Sequence, residues 1–592
     1  MAERSAFLER QKTQALHDAR FLKRRIRIIS WSRLALVLTL LLSSYWAMQV
    51  DGPSQLLGLW IPGIPIFLLL VRWYEDLKDK LKFKEALVAI ADEEISAING
   101  DLIREFSVIN HDKNHPFSRE LDLFGPQSLH HHINRAWTNA GAEFLAEEMK
   151  SPPFKDWQAR QDYFKELEAD QDWAFQYRAE GQSSGEQKDV KAVFNIWAKD
   201  RFKAFPAFYW PIMIVGIILV WYTAYGFVSA PAEGSFKLFM YAISFNLLVL
   251  GSRVKVLREQ QSKLTKVSAA ISSYAALLQR LESRSFISAY GKEFKSKFKL
   301  DEGVALKVKR LGALLNSLDQ SANVMALFIL NGLFHYHLFR LRALEQWHKK
   351  YSSELSLWLQ GLHQFEAHLS YANYHANHPE FNWPSLEQNP EFRALALGHP
   401  LITAKQRVTN DLDLNAFKYS ILTGSNMSGK STFLRSIGIN MVLAQLGAKV
   451  CAEQLHIYPF QLLCSMNPQD DLRAETSYFQ AEIIRLKSLL DRLNEEQYSF
   501  FLLDEILRGT NSDDKQAGTR KFLNKIEEAP AWGFIATHDV DIAHLADDNQ
   551  HFNAAYFESK VQGEDLVFDY KLRSGVCKTP NASLLMERYG LV

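Results

Sequence analysis

Four apolar runs, arranged as two close pairs, constrain this chain more than any other feature of its sequence. The first pair covers residues 34–50 and 56–71, and the second pair covers residues 210–230 and 236–251. A helix needs about 20 mostly apolar residues to cross the hydrocarbon core of a bilayer, and each run reaches that length with its interfacial flanks. We therefore expect two transmembrane helical hairpins.

Basic residues flank these runs on one side only. Lys and Arg are dense before the first run, between the second and third runs and after the fourth, whereas the two turns, DGPSQ and PAEGS, contain neither residue. The positive-inside rule then predicts a multi-pass protein of the cytoplasmic (inner) membrane, with its N-terminus and its C-terminal half in the cytoplasm. We expect the basic residues 20–33 to contact anionic lipid headgroups rather than DNA. A cleaved signal peptide is the competing interpretation of the first run, but the second run follows it immediately.

A fifth apolar run, residues 323–339, contains Asn331, His335 and His337. A fifth span would move the C-terminal half to the other side of the membrane, away from cytoplasmic ATP. We therefore expect a buried core helix here.

The rest of the chain divides into a helical part and an α/β part. Helix-forming residues with spaced apolar positions dominate up to about residue 375, and short β-type runs alternate with helical stretches after a cluster of Pro and Asn. The predicted fold class is therefore α plus α/β multidomain. The predicted domains are a basic N-terminus with the first hairpin (1–75), a helical core (76–205 and 253–378) interrupted by the second hairpin (206–252), and an α/β domain (379–592).

Charge and cysteine content exclude some function classes. With 68 Lys and Arg against 67 Asp and Glu, the formal net charge of +1 does not indicate a nucleic-acid partner. The three cysteines are too scattered for a disulfide framework or a zinc site. Three consecutive histidines, residues 130–132, point around a helix rather than to one ion, so we predict no metal site there.

The segment TGSNMSGKST, residues 423–432, joins a predicted strand to a predicted helix and fits the phosphate-binding pattern G-x-x-x-x-G-K-[ST]. Glycine lets the backbone curl so that successive amides face one anion, and the helix N-terminus adds partial positive charge. Lys430 supplies a point charge, and the Ser431 hydroxyl can take a Mg²⁺ position. We predict ATP and Mg²⁺ as cofactors. The predicted nucleotide-binding residues are Gly424, Ser425, Asn426, Met427, Ser428, Gly429, Lys430, Ser431 and Thr432.

Two more predicted strands end in residues suited to phosphate chemistry. The apolar run 500–503 ends in Asp504 and Glu505, and a later run ends in His538. We predict that Asp504 holds Mg²⁺, directly or through water, and that Glu505 orients and deprotonates the attacking water. A histidine at such a strand end can reach the γ-phosphate or the water. The predicted metal ligands are Ser431 and Asp504, and the predicted catalytic residues are Glu505, His538 and Lys430.

These motifs resemble those of the MutS family of DNA mismatch-repair ATPases, which is related to the ABC class. TGSNMSGKSTFLR is similar to the family's TGPNMxGKST-[YF]-[LM]-R, with Ser425 in place of proline. DEILRGTN resembles the family's DEIGRGT, with Leu507 in place of glycine, and ATHD is similar to its ATH element. ETSYFQAE resembles the S-T-F-x-x-E signature, which aligns Ser477, Phe479 and Glu482.

The resemblance covers about residues 121–180 and 320–592. It implies a helical MutS-like core followed by an ABC-type P-loop ATPase domain. It also implies a homodimer whose ATPase domains face each other, so that Ser477 of one protomer contacts the γ-phosphate bound by the other, with DNA as a further partner. The first hairpin stands where the family has its N-terminal mismatch-recognition domain, and we interpret Phe7-Leu8-Glu9 as a chance match to the tripeptide that contacts the mispaired base.

We therefore predict a membrane-anchored MutS-like ATPase with a composite dimeric site, coupled to the binding of mismatched or branched DNA in repair. Two alternatives stay open. One is an ABC-type transporter, although no LSGGQ-type signature precedes Asp504 and the spans hold few charges. The other is a membrane scaffold whose assembly is switched by nucleotide.

Overall fold

The structure is a computed structural model of the 592-residue chain. It describes residues 2–50, 53–109, 115–153, 156–183, 190–200, 203–229, 234–264, 268–300, 302–319, 324–425, 427–466, 478–493, 498–508, 510–562 and 565–577.

Helices form the first part of the chain. They are α1 (Ala2–Val50), α2 (Pro53–Ile98), α3 (Leu129–Ile133), α4 (Asn139–Lys150), α5 (Trp157–Ala169), α6 (Gln171–Ser183), α7 (Val190–Lys199), α8 (Tyr209–Ser229), α9 (Ser235–Gly251), α10 (Val254–Leu264), α11 (Ser268–Ser283), α12 (Ala289–Lys297), α13 (Val304–Asp319), α14 (Val324–Phe334) and α15 (Tyr336–Asn377).

The first apolar pair belongs to two very long helices. α1 has 49 residues, so it extends for about 70 Å and carries the basic N-terminal stretch and the first apolar run without a break. It packs along α2, which continues past the second apolar run into the helical core. Consequently the first hairpin and the core share their helices, and no linker separates them.

Two described helices, Ala2–Trp46 and Tyr209–Ser229, are long and apolar enough to cross a membrane. A third candidate is formed by Ser235–Gly251 and Val254–Leu264, which are bent by 57° at a short break, if the pair is counted as one span. These helices include most of the first and third apolar runs and the whole of the fourth.

Helix α14 contains residues 324–334 of the fifth apolar run and packs against α8 and α9. The Asn246 side-chain amide of α9 donates to the Gly332 carbonyl of α14 at 2.7 Å and lies 3.5 Å from the Gly216 carbonyl of α8. Phe328 and Ile329 of α14 are exposed, whereas Asn331 is buried. The expectation of a buried core helix is therefore met only in part, and α14 lies beside the second hairpin.

Helix α15 leads from this hairpin to the C-terminal domain. It begins after His335, whose φ of 49° breaks the helical path from α14. Its 42 residues extend for about 60 Å, and every residue from 361 to 377 is buried. Near its end, His375 Nε2 accepts a hydrogen bond from the Lys449 amide at 3.2 Å.

A buried ion cluster joins the first hairpin to the helical core. The Glu94 carboxylate of α2 lies 2.6 Å from Arg135 Nε and 2.5 Å from Arg178 Nη1, and it accepts a hydrogen bond from the Asn377 amide of α15 at 2.6 Å. Burial alone would raise the pKa of Glu94, but the two arginines hold it well below its usual value. Arg4 of α1 completes the cluster by donating to Asn377 at 3.1 Å.

The C-terminal part is an α/β domain with two sheets. The strands are β1 (Ser385–Leu386), β2 (Phe392–Leu397), β3 (Asn410–Asp413), β4 (Tyr419–Thr423), β5 (Gln454–Ile457), β6 (Gln461–Met466), β7 (Ser499–Asp504), β8 (Ala531–Ala536), β9 (Phe552–Gln562) and β10 (Asp565–Ser574). The helices are α16 (Lys430–Gln445), α17 (Tyr478–Leu493), α18 (Ser512–Glu527), α19 (Val540–Ala543) and α20 (Leu545–Asp548).

The larger sheet has the order β10-β9-β4-β8-β7-β6, and the smaller has the order β1-β5-β2-β3. In the larger sheet all neighbouring strands are parallel except β9 and β10. Every residue of β4 and β7 is buried, as expected for strands that are covered on both faces. The predicted succession of a helical part and an α/β domain is confirmed, whereas the domain boundaries stay predictions.

We expect Glu94→Ala to destabilise the chain strongly, because it leaves Arg135 and Arg178 buried without their carboxylate. Breaking a buried ion pair costs about 3–5 kcal/mol. The thermal melting temperature of the detergent-purified protein should fall by several degrees. Asp79→Ala on the same helix is the matched control, since the Asp79 side chain is 73% exposed. Equal melting temperatures for Glu94→Ala and the unaltered chain would contradict the importance of this cluster.

Candidate functional site

The loop between β4 and α16 requires glycine at two positions. Gly424 has a φ of 151° and Gly429 a φ of 99°. A Cβ at Gly424 would lie 2.8 Å from Ser428 Oγ, and one at Gly429 would lie 2.9 Å from Tyr570 Cδ1. Any larger residue would therefore meet both backbone strain and a close contact.

Lys430, the first residue of α16, points back into this loop. Its ammonium group donates to the Gly424 carbonyl at 2.9 Å and to the Ser425 carbonyl at 3.1 Å. Burial lowers the pKa of Lys430, and the nearby Glu505 and Asp504 carboxylates oppose that shift. The loop thus encloses a positive charge at the helix N-terminus, where an anion binds most favourably.

Asp504 ends β7 at the same edge of the sheet. It is buried, and neither carboxylate oxygen has a hydrogen-bond partner among the described residues. Burial raises the pKa of Asp504, and the nearby Ser431 hydroxyl partly opposes that rise. The hydroxyl does not form a hydrogen bond with the carboxylate. Two unpartnered carboxylate oxygens beside a hydroxyl suit Mg²⁺, which prefers oxygen ligands. The buried Ser428 hydroxyl is also unpartnered among the described residues.

Glu505 follows directly and is held by a histidine and an arginine. One carboxylate oxygen lies 2.6 Å from His538 Nε2, and the other lies 2.8 Å from Arg508 Nε. Burial raises the pKa of Glu505, but the hydrogen bond with His538 and the charges around it outweigh burial and lower it overall. The carboxylate is therefore ionised at neutral pH and able to accept a proton from water.

His538 lies just after the end of β8. The Thr537 amide donates a hydrogen bond to the Leu422 carbonyl of β4 at 2.9 Å, which aligns the ends of the two strands. The same His538 Nε2 atom that contacts Glu505 lies 3.5 Å from the Lys430 ammonium. The structure thus brings Lys430, Asp504, Glu505 and His538, predicted from three separate sequence segments, to one edge of the sheet.

A cavity of about 500 Å³ opens beside this edge. The loop residues 427–432 and Glu505 line one side, and His399, Phe557 and Tyr570 line others. Burial lowers the pKa of His399 to about 4, so its ring is neutral at physiological pH. The volume lies within the range of small-molecule and cofactor sites, which favours a ligand of nucleotide size.

Sequence reasoning missed several residues of this site. Arg508 lies in the DEILRGTN motif, three residues after Glu505, and this position could have identified it as a partner of Glu505. Tyr570 gave no signal, because it reaches Gly429 from β10, far along the chain. Asn426 and Ser477 lie outside the described residues, and their roles stay predictions.

The histidine triplet has structural partners. His130 Nε2 lies 3.0 Å from the Ala142 carbonyl, and His131 Nε2 lies 2.8 Å from the Arg104 carbonyl. Within the described part of the chain, no group of three or more His, Cys, Asp or Glu side chains could hold a metal ion.

Part of the C-terminal domain is similar to known proteins. Residues 420–584 match the family model of MutS domain V. The chain is 30% identical over 200 residues to the DNA mismatch repair protein MutS of Natronomonas pharaonis, covering 33% of this chain and 23% of that protein. It is 28% identical over 197 residues to MutS protein homolog 4 of Mus musculus, covering 31% of this chain and 20% of that protein.

A third relative is the DNA mismatch repair protein MSH3 of Vanderwaltozyma polyspora, which is 32% identical over 181 residues, 28% of this chain and 17% of that protein. The chain thus spans less than a quarter of the length of these relatives. The MutS resemblance is confirmed for the C-terminal domain.

We expect Gly429→Ala to weaken the binding of ATP at least about tenfold, because left-handed backbone costs an L-residue about 1–2 kcal/mol and the new Cβ meets Tyr570. Anisotropy of a fluorescent ATP analogue measures the dissociation constant. Gly575→Ala is the control, since Gly575 also has a positive φ of 104° but a Cβ there would meet no atom within 4 Å. Equal losses of affinity in both variants would contradict a nucleotide site at Gly429.

Proposed function

We propose that this chain is a membrane-anchored MutS-like ATPase whose C-terminal ABC-type P-loop domain binds and hydrolyses Mg-ATP. The observation that carries the proposal is the convergence of Lys430, Asp504, Glu505 and His538 at the carboxyl ends of three neighbouring parallel strands. The match of residues 420–584 to MutS domain V supports it independently.

Bound Mg-ATP would supply the electrophilic γ-phosphate and the metal charge. In the chain, the loop amides and Lys430 bind and orient the phosphates, while Ser431 and Asp504 hold Mg²⁺. Glu505 orients the attacking water and accepts its proton. His538 fixes the direction of the Glu505 carboxylate through their 2.6 Å contact.

We infer that the two apolar hairpins insert into the cytoplasmic membrane, with both chain termini and the ATPase domain on the cytoplasmic side. The support comes from large apolar side chains exposed on the long apolar helices, including Leu42 and Trp46 on α1 and Ile218 and Val228 on α8. Such contiguous exposure is unfavourable in water and favourable in lipid. The basic flanks set the orientation.

We further infer a homodimer whose ATPase domains face each other, with Ser477 of each protomer at the partner's nucleotide. DNA as a partner, and a role in mismatch repair, are supported by the names of the relatives matched in the C-terminal domain.

For ATP hydrolysis, the chain should be purified in lipid nanodiscs and assayed for Mg²⁺-dependent phosphate release. Glu505→Gln should lower kcat about 100-fold or more while ATP still binds, because the amide cannot accept the proton. Lys430→Ala should weaken ATP binding itself. Glu528 and Lys405 are exposed, so Glu528→Gln and Lys405→Ala are matched controls. Both should leave kcat and ATP binding unchanged. Full activity in Glu505→Gln protein would contradict the assignment of the base.

For assembly and DNA binding, two measurements separate the alternatives. A composite site requires specific activity to fall when the protein is diluted below its dimerisation range.

Binding to homoduplex, mismatched and branched DNA should be measurable at low salt and weaken as salt rises. Absence of binding at low salt would instead favour a nucleotide-switched scaffold, and stimulation of the ATPase by a solute in liposomes would favour a transporter.

A further inference from the structure

Glu482 of α17 binds the loop that follows the proposed catalytic base. It is buried, with 1% of its surface exposed. One carboxylate oxygen accepts a hydrogen bond from the Leu507 amide at 2.5 Å, and the other accepts one from the Arg508 amide at 3.2 Å. Hydrogen bonds to a charged acceptor are stronger than neutral ones, so this carboxylate is a firm anchor for two successive peptide groups.

The anchored loop adopts a conformation that its residues do not favour. Glu505 has a φ of 49° and Leu507 a φ of 60°, both in the left-handed region. Non-glycine residues rarely adopt this conformation, so surrounding contacts must hold it. The Leu507 side chain also packs closely on α18. A Cβ at Gly518 of that helix would lie 2.8 Å from Leu507 Cδ1.

The conformation of this loop determines where the base points. Arg508, whose amide binds Glu482, places its guanidinium 2.8 Å from the Glu505 carboxylate. Glu482 itself does not line the cavity beside the phosphate-binding loop. The contacts of Glu482 therefore affect the position of Glu505 and not the binding of the nucleotide.

The same helix is fixed to the helical core by Arg485, three residues further along. Its guanidinium donates to the carbonyls of Pro116 at 2.9 Å and His115 at 3.1 Å in the helical part of the chain. It also donates to the Cys464 carbonyl of β6 at 3.0 Å. Residues three apart lie on one side of a helix, so α17 contacts the core and the catalytic loop together. In sequence, α17 begins directly after Ser477, the residue predicted to contact the partner's nucleotide.

We propose that Glu482 is a positioning residue that makes the geometry of Glu505 depend on the placement of α17. The inference rests on the proposed ATPase function. When α17 is seated against the core, Glu482 holds the amides of Leu507 and Arg508, and Glu505 is set for proton transfer. When α17 shifts, the loop loses its anchor while the phosphate-binding loop keeps its shape. Hydrolysis thereby becomes conditional on α17, whereas ATP binding does not.

The test compares Glu482→Gln with the unaltered full-length chain in nanodiscs. Glutamine offers one acceptor oxygen and turns an NH₂ group toward the second amide, so a charge-assisted anchor is lost. We expect kcat for Mg-ATP hydrolysis to fall at least about tenfold, because the loop loses a hydrogen bond to a charged acceptor and Glu505 loses its orientation. The dissociation constant of a fluorescent ATP analogue should stay within about twofold, because the phosphate contacts are intact. Asp491→Asn, an exposed carboxylate on the same helix, is the matched control and should leave kcat unchanged.

Arg485→Ala provides a second, independent variant, since it loosens α17 without touching the catalytic loop. It should also lower kcat and leave ATP affinity unchanged. A kcat within about twofold of the unaltered chain in both variants overturns the inference while leaving the proposed ATPase intact. A parallel loss of kcat, ATP affinity and melting temperature in both variants overturns it too, because that pattern indicates a general structural role. Absence of hydrolysis in the unaltered chain would remove the proposed function and this inference together.

Discussion

The hydrogen-bonded register of β4, β8 and β7 is the constraint on which the rest of the site depends. Leu422 of β4 and Asp504 of β7 both pair with Ala536 of β8, so the three strands end at the same level. The phosphate-binding loop, the Asp504–Glu505 pair and His538 each follow one of these ends. Because side chains alternate between the two faces of a strand, a shift by one residue would turn Asp504 away from Ser431 and replace the polar edge with apolar side chains.

The helices that flank this edge connect it to the rest of the molecule. α16 begins with Lys430 at the phosphate loop and ends where the Trp157 indole donates to the Ala444 carbonyl at 2.6 Å and Arg160 Nε donates to the Leu446 carbonyl at 2.8 Å. Arg160 is in turn held by Glu148 at 2.7 Å. Together with α15 and α17, α16 gives the helical core direct contacts to the C-terminal domain. Under the proposed function, a change of nucleotide would have short physical routes to the core, and through α2 and α15 to both hairpins.

The sequence predicted those parts of the structure that depend on short segments. An apolar strand followed by a polar motif is recognisable in a few residues, which is why Lys430, Asp504, Glu505 and His538 were identified and are found together. Contacts between distant segments left no comparable signal. Asn377 binds Glu94 from 283 residues away, and Tyr570 packs on Gly429 only because β10 folds beside β9. The exposed residues of α14 were not predicted, because periodicity does not distinguish a core helix from one beside an apolar hairpin.

Replacing Mg²⁺ with Mn²⁺ tests whether the three strand ends form one Mg-ATP site. Electron paramagnetic resonance can count the bound Mn²⁺ ions and detect phosphorus nuclei next to them when a non-hydrolysable ATP analogue is present. We expect one tightly bound Mn²⁺ per chain, coupled to phosphorus and lost in Asp504→Asn protein. Tight Mn²⁺ binding that persists unchanged in Asp504→Asn, or binding without phosphorus coupling, would contradict it.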